Sequence, residues 1–151
     1  MPNAIEYRTI EGTLSAGVRK SIATLYELIF DSSGDHITEK LRRENLITVV
    51  AEKERQVVGF KVGYGYDERP DHFYSWLGGV HPAYRCQGIG GELMRQQHDY
   101  CRHTGFRTIR TKTTNQWRSM LLLNIRHGFH VMGTYLDDDR EIKIILEKRL
   151  T

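Results

Sequence analysis

Apolar and polar positions alternate over Ile5-Glu6-Tyr7-Arg8-Thr9-Ile10, which predicts a short strand that Gly12 ends. Leu14, Val18, Ile22, Leu25 and Ile29 then recur at helical spacing, with Thr13 opening that helix. Asp31-Ser32-Ser33-Gly34-Asp35 reads as a loop. Ile37 and Leu41 mark a second, shorter helix with basic residues at Lys40, Arg42 and Arg43. A β-branched run, Leu46 to Ala51, is followed by a polar turn, Glu52 to Gln56. A long alternating run through Val58, Phe60, Val62, Tyr64 and Tyr66 completes the pattern of an antiparallel hairpin. After the charged turn Asp67 to Asp71, Phe73 to Val80 reads as another strand. Its Gly78-Gly79 pair marks either a bulge or a simple kink.

The second half changes period twice. Ile89 to His103 reads as a helix with Ile89, Leu93, Met94, Tyr100 and Cys101 inward, closed by Gly105. Phe106 to Thr113 is a strand, and Asn115 to His127 a helix with Trp117, Leu121 and Ile125 inward, capped by Gly128. Phe129 to Tyr135 and Ile142 to Lys148 are strands joined by the acidic loop Asp137 to Glu141. The order β-α-α-β-β-β-α-β-α-β-β places an antiparallel meander before a β-α-β crossover. It predicts an α/β fold with a mixed, mostly antiparallel sheet of about seven strands flanked by about four helices. No linker, repeat or low-complexity tract interrupts the 151 residues, so 1–151 reads as a single domain.

Composition removes several classes of function. The apolar share of 39% and charged share of 27% are those of a soluble globular protein. A net charge of +3 is too slight to predict a nucleic-acid partner. No apolar run approaches the roughly eighteen residues that cross a membrane, and the N-terminus has no basic-then-apolar leader. Cys86 and Cys101 form neither a disulfide framework nor a zinc pattern, and reduced thiols suit a cytoplasmic location. His98, His103, His127 and His130 form no ligand set, so no metal is expected.

The informative segment is Val80-His81-Pro82-Ala83-Tyr84-Arg85-Cys86-Gln87-Gly88-Ile89-Gly90-Gly91-Glu92-Leu93-Met94. A strand leads in and a helix leads out. The first amides of a helix have no intrahelical partner and sit at the positive end of its dipole, which suits a phosphate or pyrophosphate. The dinucleotide pattern G-x-G-x-x-G fails at Leu93, and no Gly-Lys-Ser/Thr follows Gly88 to make a P-loop. What remains is Arg85-x-x-Gly88-x-Gly90. Apart from a glycine-rich turn, it resembles the acyl-CoA pyrophosphate loop of the GNAT family of N-acetyltransferases, as does the wider string Val-x-Pro-x-Tyr-Arg-x-x-Gly-Ile-Gly. The order of elements is similar to that family across the whole chain.

The resemblance implies an acetyl-CoA-dependent transfer to a primary amine, from a small molecule or a peptide, by direct attack in a ternary complex. It implies a sheet splayed after the strand that feeds the loop. Pantetheine would lie along Trp76 to Val80, with Gly78, Gly79 and Val80 binding the cofactor and an N–H of the glycine pair stabilising the oxyanion. Gln87, Gly88, Ile89, Gly90 and Gly91 would bind the pyrophosphate, and Arg85 either faces the phosphates or is solvated. Asn115 either contacts pantetheine or is the helix N-cap. Arg126 and His127 either reach the 3′-phosphate or are solvated. Where many members carry the tyrosine that protonates the thiolate, this chain has Asn124, which is no acid but can donate a hydrogen bond to sulfur. Tyr135 or a water replaces that acid, and Tyr74 or Ser75 holds a water that serves as base.

Asp31, Asp35, Asp67, Asp71 and Asp137 to Asp139 predict an acidic acceptor side, or else solvated turns. Tyr64, Tyr66, Phe73 and Tyr74 form a cation–π wall or pack the sheet. The departure at Asn124 keeps a second function open, a non-catalytic acyl-CoA-binding sensor. A nucleotide-phosphate module is the third. A homodimer is expected because the last strand, Ile142 to Leu150, would otherwise be a long exposed edge.

Overall fold

The computed structural model describes residues 4–150. Its elements are β1 (Glu6–Glu11), α1 (Ala16–Phe30), α2 (Asp35–Thr38), β2 (Leu46–Lys53), β3 (Gln56–Gly65), β4 (His72–Val80), α3 (Ile89–His103), β5 (Thr108–Thr114), α4 (Arg118–Arg126), β6 (His130–Leu136) and β7 (Ile142–Arg149). Short 3₁₀ turns cover Lys40–Arg42 and Pro82–Tyr84. The strands form one seven-stranded sheet in the order β1-β2-β3-β4-β5-β7-β6. Pairing is parallel between β4 and β5 and antiparallel in β1–β2, β2–β3, β5–β7 and β6–β7, so the sheet is mixed as the element order predicts.

The chain forms two compact units. The first holds residues up to Tyr64 together with Leu77–Gln97; the second holds Gly65–Trp76 and His98 onward. In the first, Val49, Ala51, Val58, Ile89 and Leu93 make a buried cluster against which Val80 and Tyr84 pack. The end of β4, the loop after it and the start of α3 are therefore held on one apolar core. The β2–β3 hairpin turns at Glu54 and Arg55, both at positive φ (52° and 68°), the backbone that a two-residue hairpin of right-handed twist requires. In the second unit, Ile109, Phe129, Ile144 and Leu146 are buried. Phe106 lies outside β5 and stacks edge-on against Phe73, with ring centroids 5.1 Å apart.

Four expectations need correction. Helix α1 opens at Ser15 rather than Thr13, because the Ser15 hydroxyl accepts the Val18 amide hydrogen at 3.2 Å while its own backbone is extended. Helix α4 starts at Arg118 with Trp117 before it, so Asn115 is in a turn and is not the N-cap. Its inward face carries Asn124, 2% exposed, while Ile125 faces solvent at 47%. Finally, β7 is no edge. It pairs with β5 on one side and β6 on the other.

Candidate functional site

Close packing fixes the start of α3. A Cβ on Gly59 of β3 would lie 3.1 Å from Leu93 Cδ1 and 3.2 Å from Ile89 Cγ2, so the absence of a side chain there lets α3 approach the sheet. The Gly88 carbonyl accepts the Glu92 amide, the first bond of the helix. The amides of Ile89, Gly90 and Gly91 precede it and have no backbone acceptor among the described residues. They stand at the positive end of a fifteen-residue helix.

The loop in front is held by its own residues. His81 Nδ1 accepts the Ala83 amide at 3.0 Å, and the ring meets Tyr84 edge-on, so this histidine caps the short turn that follows. The His81 amide donates to Val58 at 2.8 Å. Arg85 Nε reaches back to the Val80 carbonyl at 3.4 Å, while the side chain stays exposed. Cys86 and Gly88 both have positive φ, 63° and 81°. Such alternation is the local geometry of backbone concavities that bind anions. The expected binders Gln87, Gly88, Ile89, Gly90 and Gly91 are thus consecutive on one loop and helix start.

Gly78 and Gly79 have separate packing reasons. A Cβ on Gly79 would be 2.7 Å from Ile29 Cδ1 of α1, and one on Gly78 would be 3.4 Å from Lys61 Nζ. Lys61 is the residue that the sequence reading missed. It is 6% exposed, in a strand buried from Val58 to Gly63, and burial alone lowers its pKa to about 8. A lysine between Gly59 and Gly63 on a strand apolar on its other face was the available signal.

The other expected residues belong to the second unit. The β4–β5 ladder runs from His72 to Ser75 only, opposite Thr108 to Thr111. Ser75 is buried at its end, and its carbonyl accepts the Thr111 hydroxyl at 2.9 Å. Lys112 Nζ lies 5.2 Å from the Tyr135 ring centroid and 6.0 Å from that of Tyr74, so one lysine joins the two tyrosines. Asn124 spends one amide N–H on the Met120 carbonyl at 3.0 Å. Arg126 is exposed at the last turn of α4, where a cation suits the helix dipole. Asn115 is exposed in its turn. His98 is buried beside Phe129, and its Nδ1 is 3.1 Å from Lys148 Nζ.

The acidic loops are partly used within the fold. Asp137 accepts the amides of Asp139 and Glu141 and pairs with Lys143 at 3.6 Å. The hydrogen bond from His72 holds the Asp71 carboxyl below its usual range. In the first unit, Lys40 and Arg43 lie over the Tyr64 ring at 4.8 and 5.5 Å, so that face already carries cations. His36, Glu39, Lys40, Arg42 and Arg43 line a depression of about 490 Å³. No described helix is long and apolar enough to cross a membrane, and no cluster of His, Cys, Asp or Glu among the described residues has the geometry of a metal site.

Residues 18–129 match the profile of the Acetyltransferase (GNAT) family. No curated protein matches the chain. Among solved structures, a GNAT-family acetyltransferase from Desulfovibrio desulfuricans is 16% identical with a TM-score of 0.86, covering 98% of this chain and 100% of its own. The ribosomal-protein-S18-alanine N-acetyltransferase of Escherichia coli is 16% identical at 0.80, covering 97% and 95%. The PaiA N-acetyltransferase of Thermoplasma acidophilum, in complex with coenzyme A, is 15% identical at 0.72, covering 97% and 99%.

Proposed function

The chain belongs to the Acetyltransferase (GNAT) family, and on that premise we propose that it is an acetyl-CoA-dependent N-acetyltransferase acting on a primary amine of a small molecule or a peptide. The observation that carries this reading is the row of unpartnered amides at Ile89, Gly90 and Gly91 behind Arg85-x-x-Gly88-x-Gly90. The donor set fits a pyrophosphate in kind, since it is made of neutral N–H groups at a helix dipole. Gln87 to Gly91 hold the phosphates, Gly78 to Val80 hold the pantetheine arm, and the bound thioester supplies the activated acetyl group. Tyr74, Ser75 and Tyr135 are the proposed polar residues of the chemical step. The proposed homodimer pairs through β6, the strand that ends the sheet order.

Asn124 favours a second reading. It is buried, and its amide is bonded to the helix, so the position provides no acid. A non-catalytic acyl-CoA sensor on the same fold needs none.

The test is release of coenzyme A on adding acetyl-CoA with a panel of amines. Amine-dependent release that Gly88→Glu and Gly90→Glu each lower by about a hundredfold is the expected result, because a carboxylate in the loop opposes the phosphates. Acetyl-CoA binding without release from any amine would support the sensor. Absence of acetyl-CoA binding would sink both.

A further inference from the structure

Lys61 is a buried cation to which the fold offers no anion. Among the described residues its Nζ has no hydrogen bond and no ion pair, and it is 6% exposed. Charges in protein interiors are ordinarily paired, because desolvation disfavours the charged form. No neighbouring charge contributes to its lowered pKa, which comes from burial. The residue opposite it on β2 is Val49. Gly59, on its own face of β3, packs on Ile89 and Leu93 of α3, and β4 brings Gly78. The side chain lies along Gly78: a Cβ there would be 3.4 Å from Nζ and 3.6 Å from Cγ. The amine is thus held over the backbone of the strand that leads, two residues later, into the loop at Val80.

An unpaired buried ammonium fits a partner that becomes negative only during reaction. Acyl transfer from a thioester creates such a partner, the departing thiolate. Asn124 cannot protonate it. We propose that Lys61 is the general acid of the transfer, placed against Gly78 to protonate the leaving sulfur; this rests on the acyl-CoA reading above. The acceptor nitrogen forms its bond to the carbonyl carbon, the carbon–sulfur bond breaks, and its electron pair goes to sulfur. Lys61 delivers a proton there, the acceptor nitrogen gives its own to water, and water returns one to Lys61. Burial alone brings the ammonium down from 10.5 to about 8, near the range in which an acid works best at neutral pH.

The test needs no acceptor. The ultraviolet absorbance of the thiolate of bound coenzyme A is followed as pH is raised, in the wild type, Lys61→Met and Lys61→Arg. A cation at the sulfur is expected to lower the thiol pKa by about one unit or more below its value in free coenzyme A. Lys61→Met, which keeps an unbranched stem and removes a buried charge, is expected to bind coenzyme A with the thiol at or above its free value. Lys61→Arg is expected to retain the lowering. Wild-type binding with an unshifted thiol overturns the proposal, and so does an equal shift in Lys61→Met. Failure of the wild type to bind coenzyme A overturns the acyl-CoA reading itself, and the proposal with it.

Discussion

Ile29 Cδ1 occupies the space that a Cβ on Gly79 would need, 2.7 Å away. Helix α1 therefore closes on β4 one residue before Val80. Gly79→Ala is expected to cost about 1 kcal/mol, because only the flexible end of Ile29 has to move. Ile29→Ala alone removes packing, but it also makes room. The double variant should be about 1 kcal/mol more stable than the sum of the two singles. Urea denaturation of the four proteins measures this, and strict additivity would show that the two sites do not meet.

Lys61→Met is expected to stabilise the protein at neutral pH. Folding lowers the Lys61 pKa from 10.5 to about 8. Below pH 8 both states hold the proton and the folded state bears the whole cost, about 3 kcal/mol at about 1.4 kcal/mol per unit. Between about 8 and 10.5 the unfolded chain binds a proton that the native state has released, so the cost fades as pH rises. Tyr7 and Tyr26, with raised pKa values, pull the other way at the alkaline end. The difference between wild type and Lys61→Met isolates the lysine. It should be largest at pH 7 and shrink through that window, and a difference independent of pH would contradict a lowered pKa.

Opposite signs are expected at two neighbouring loop positions. Cys86 holds φ at 63° with a side chain that is exposed, so Cys86→Gly should relieve strain and raise stability by about 0.5–1 kcal/mol. Gly88 holds φ at 81° with nothing within 4 Å of a Cβ, so Gly88→Ala meets no clash and should still cost about 1 kcal/mol from backbone strain. Thermal unfolding of both variants reads the two signs. A Gly88→Ala protein as stable as the wild type would mean that the loop readily adopts another backbone.

Much of this was legible in the sequence because the signals were local. Ile89 to His103 was readable as a helix from its spacing and from Gly105, and those are its bounds. The loop motif could be read because glycine and arginine positions alone define it. Asn115 misled because an asparagine serves a turn as well as a cap, and only tertiary packing turned Asn124 inward and Ile125 outward. The spacing in β3 marked Lys61 only as a lysine on a glycine-lined face; what it meets there is set by Gly78 of β4, which no pattern within β3 encodes. The place of β7 was hidden for the same kind of reason: in the sheet, the last strand inserts between β5 and β6, out of chain order.

That insertion moves the exposed edge to β6 and changes where self-association is expected. The opposite edge, β1, carries Glu6, Arg8 and Glu11 among its six residues, and charges of that kind discourage strand addition. Strand β6, His-Val-Met-Gly-Thr-Tyr-Leu, has no Lys, Arg, Asp, Glu or Pro. Val131, Met132 and Leu136 are 53%, 58% and 58% exposed, and the one irregularity is a register shift between Val131 and Gly133. A copy of the same strand, antiparallel about a two-fold axis, would pair with it and cover these side chains. Met132→Lys with Leu136→Lys is expected to change stability by no more than about 0.5 kcal/mol, since both positions are exposed. It should convert a dimer to a monomer in sedimentation velocity. Each substitution enters a two-fold interface twice and meets a like charge, so the effect should exceed that on pairing with an unrelated strand. A wild-type protein that sediments as a monomer at every concentration would remove the dimer.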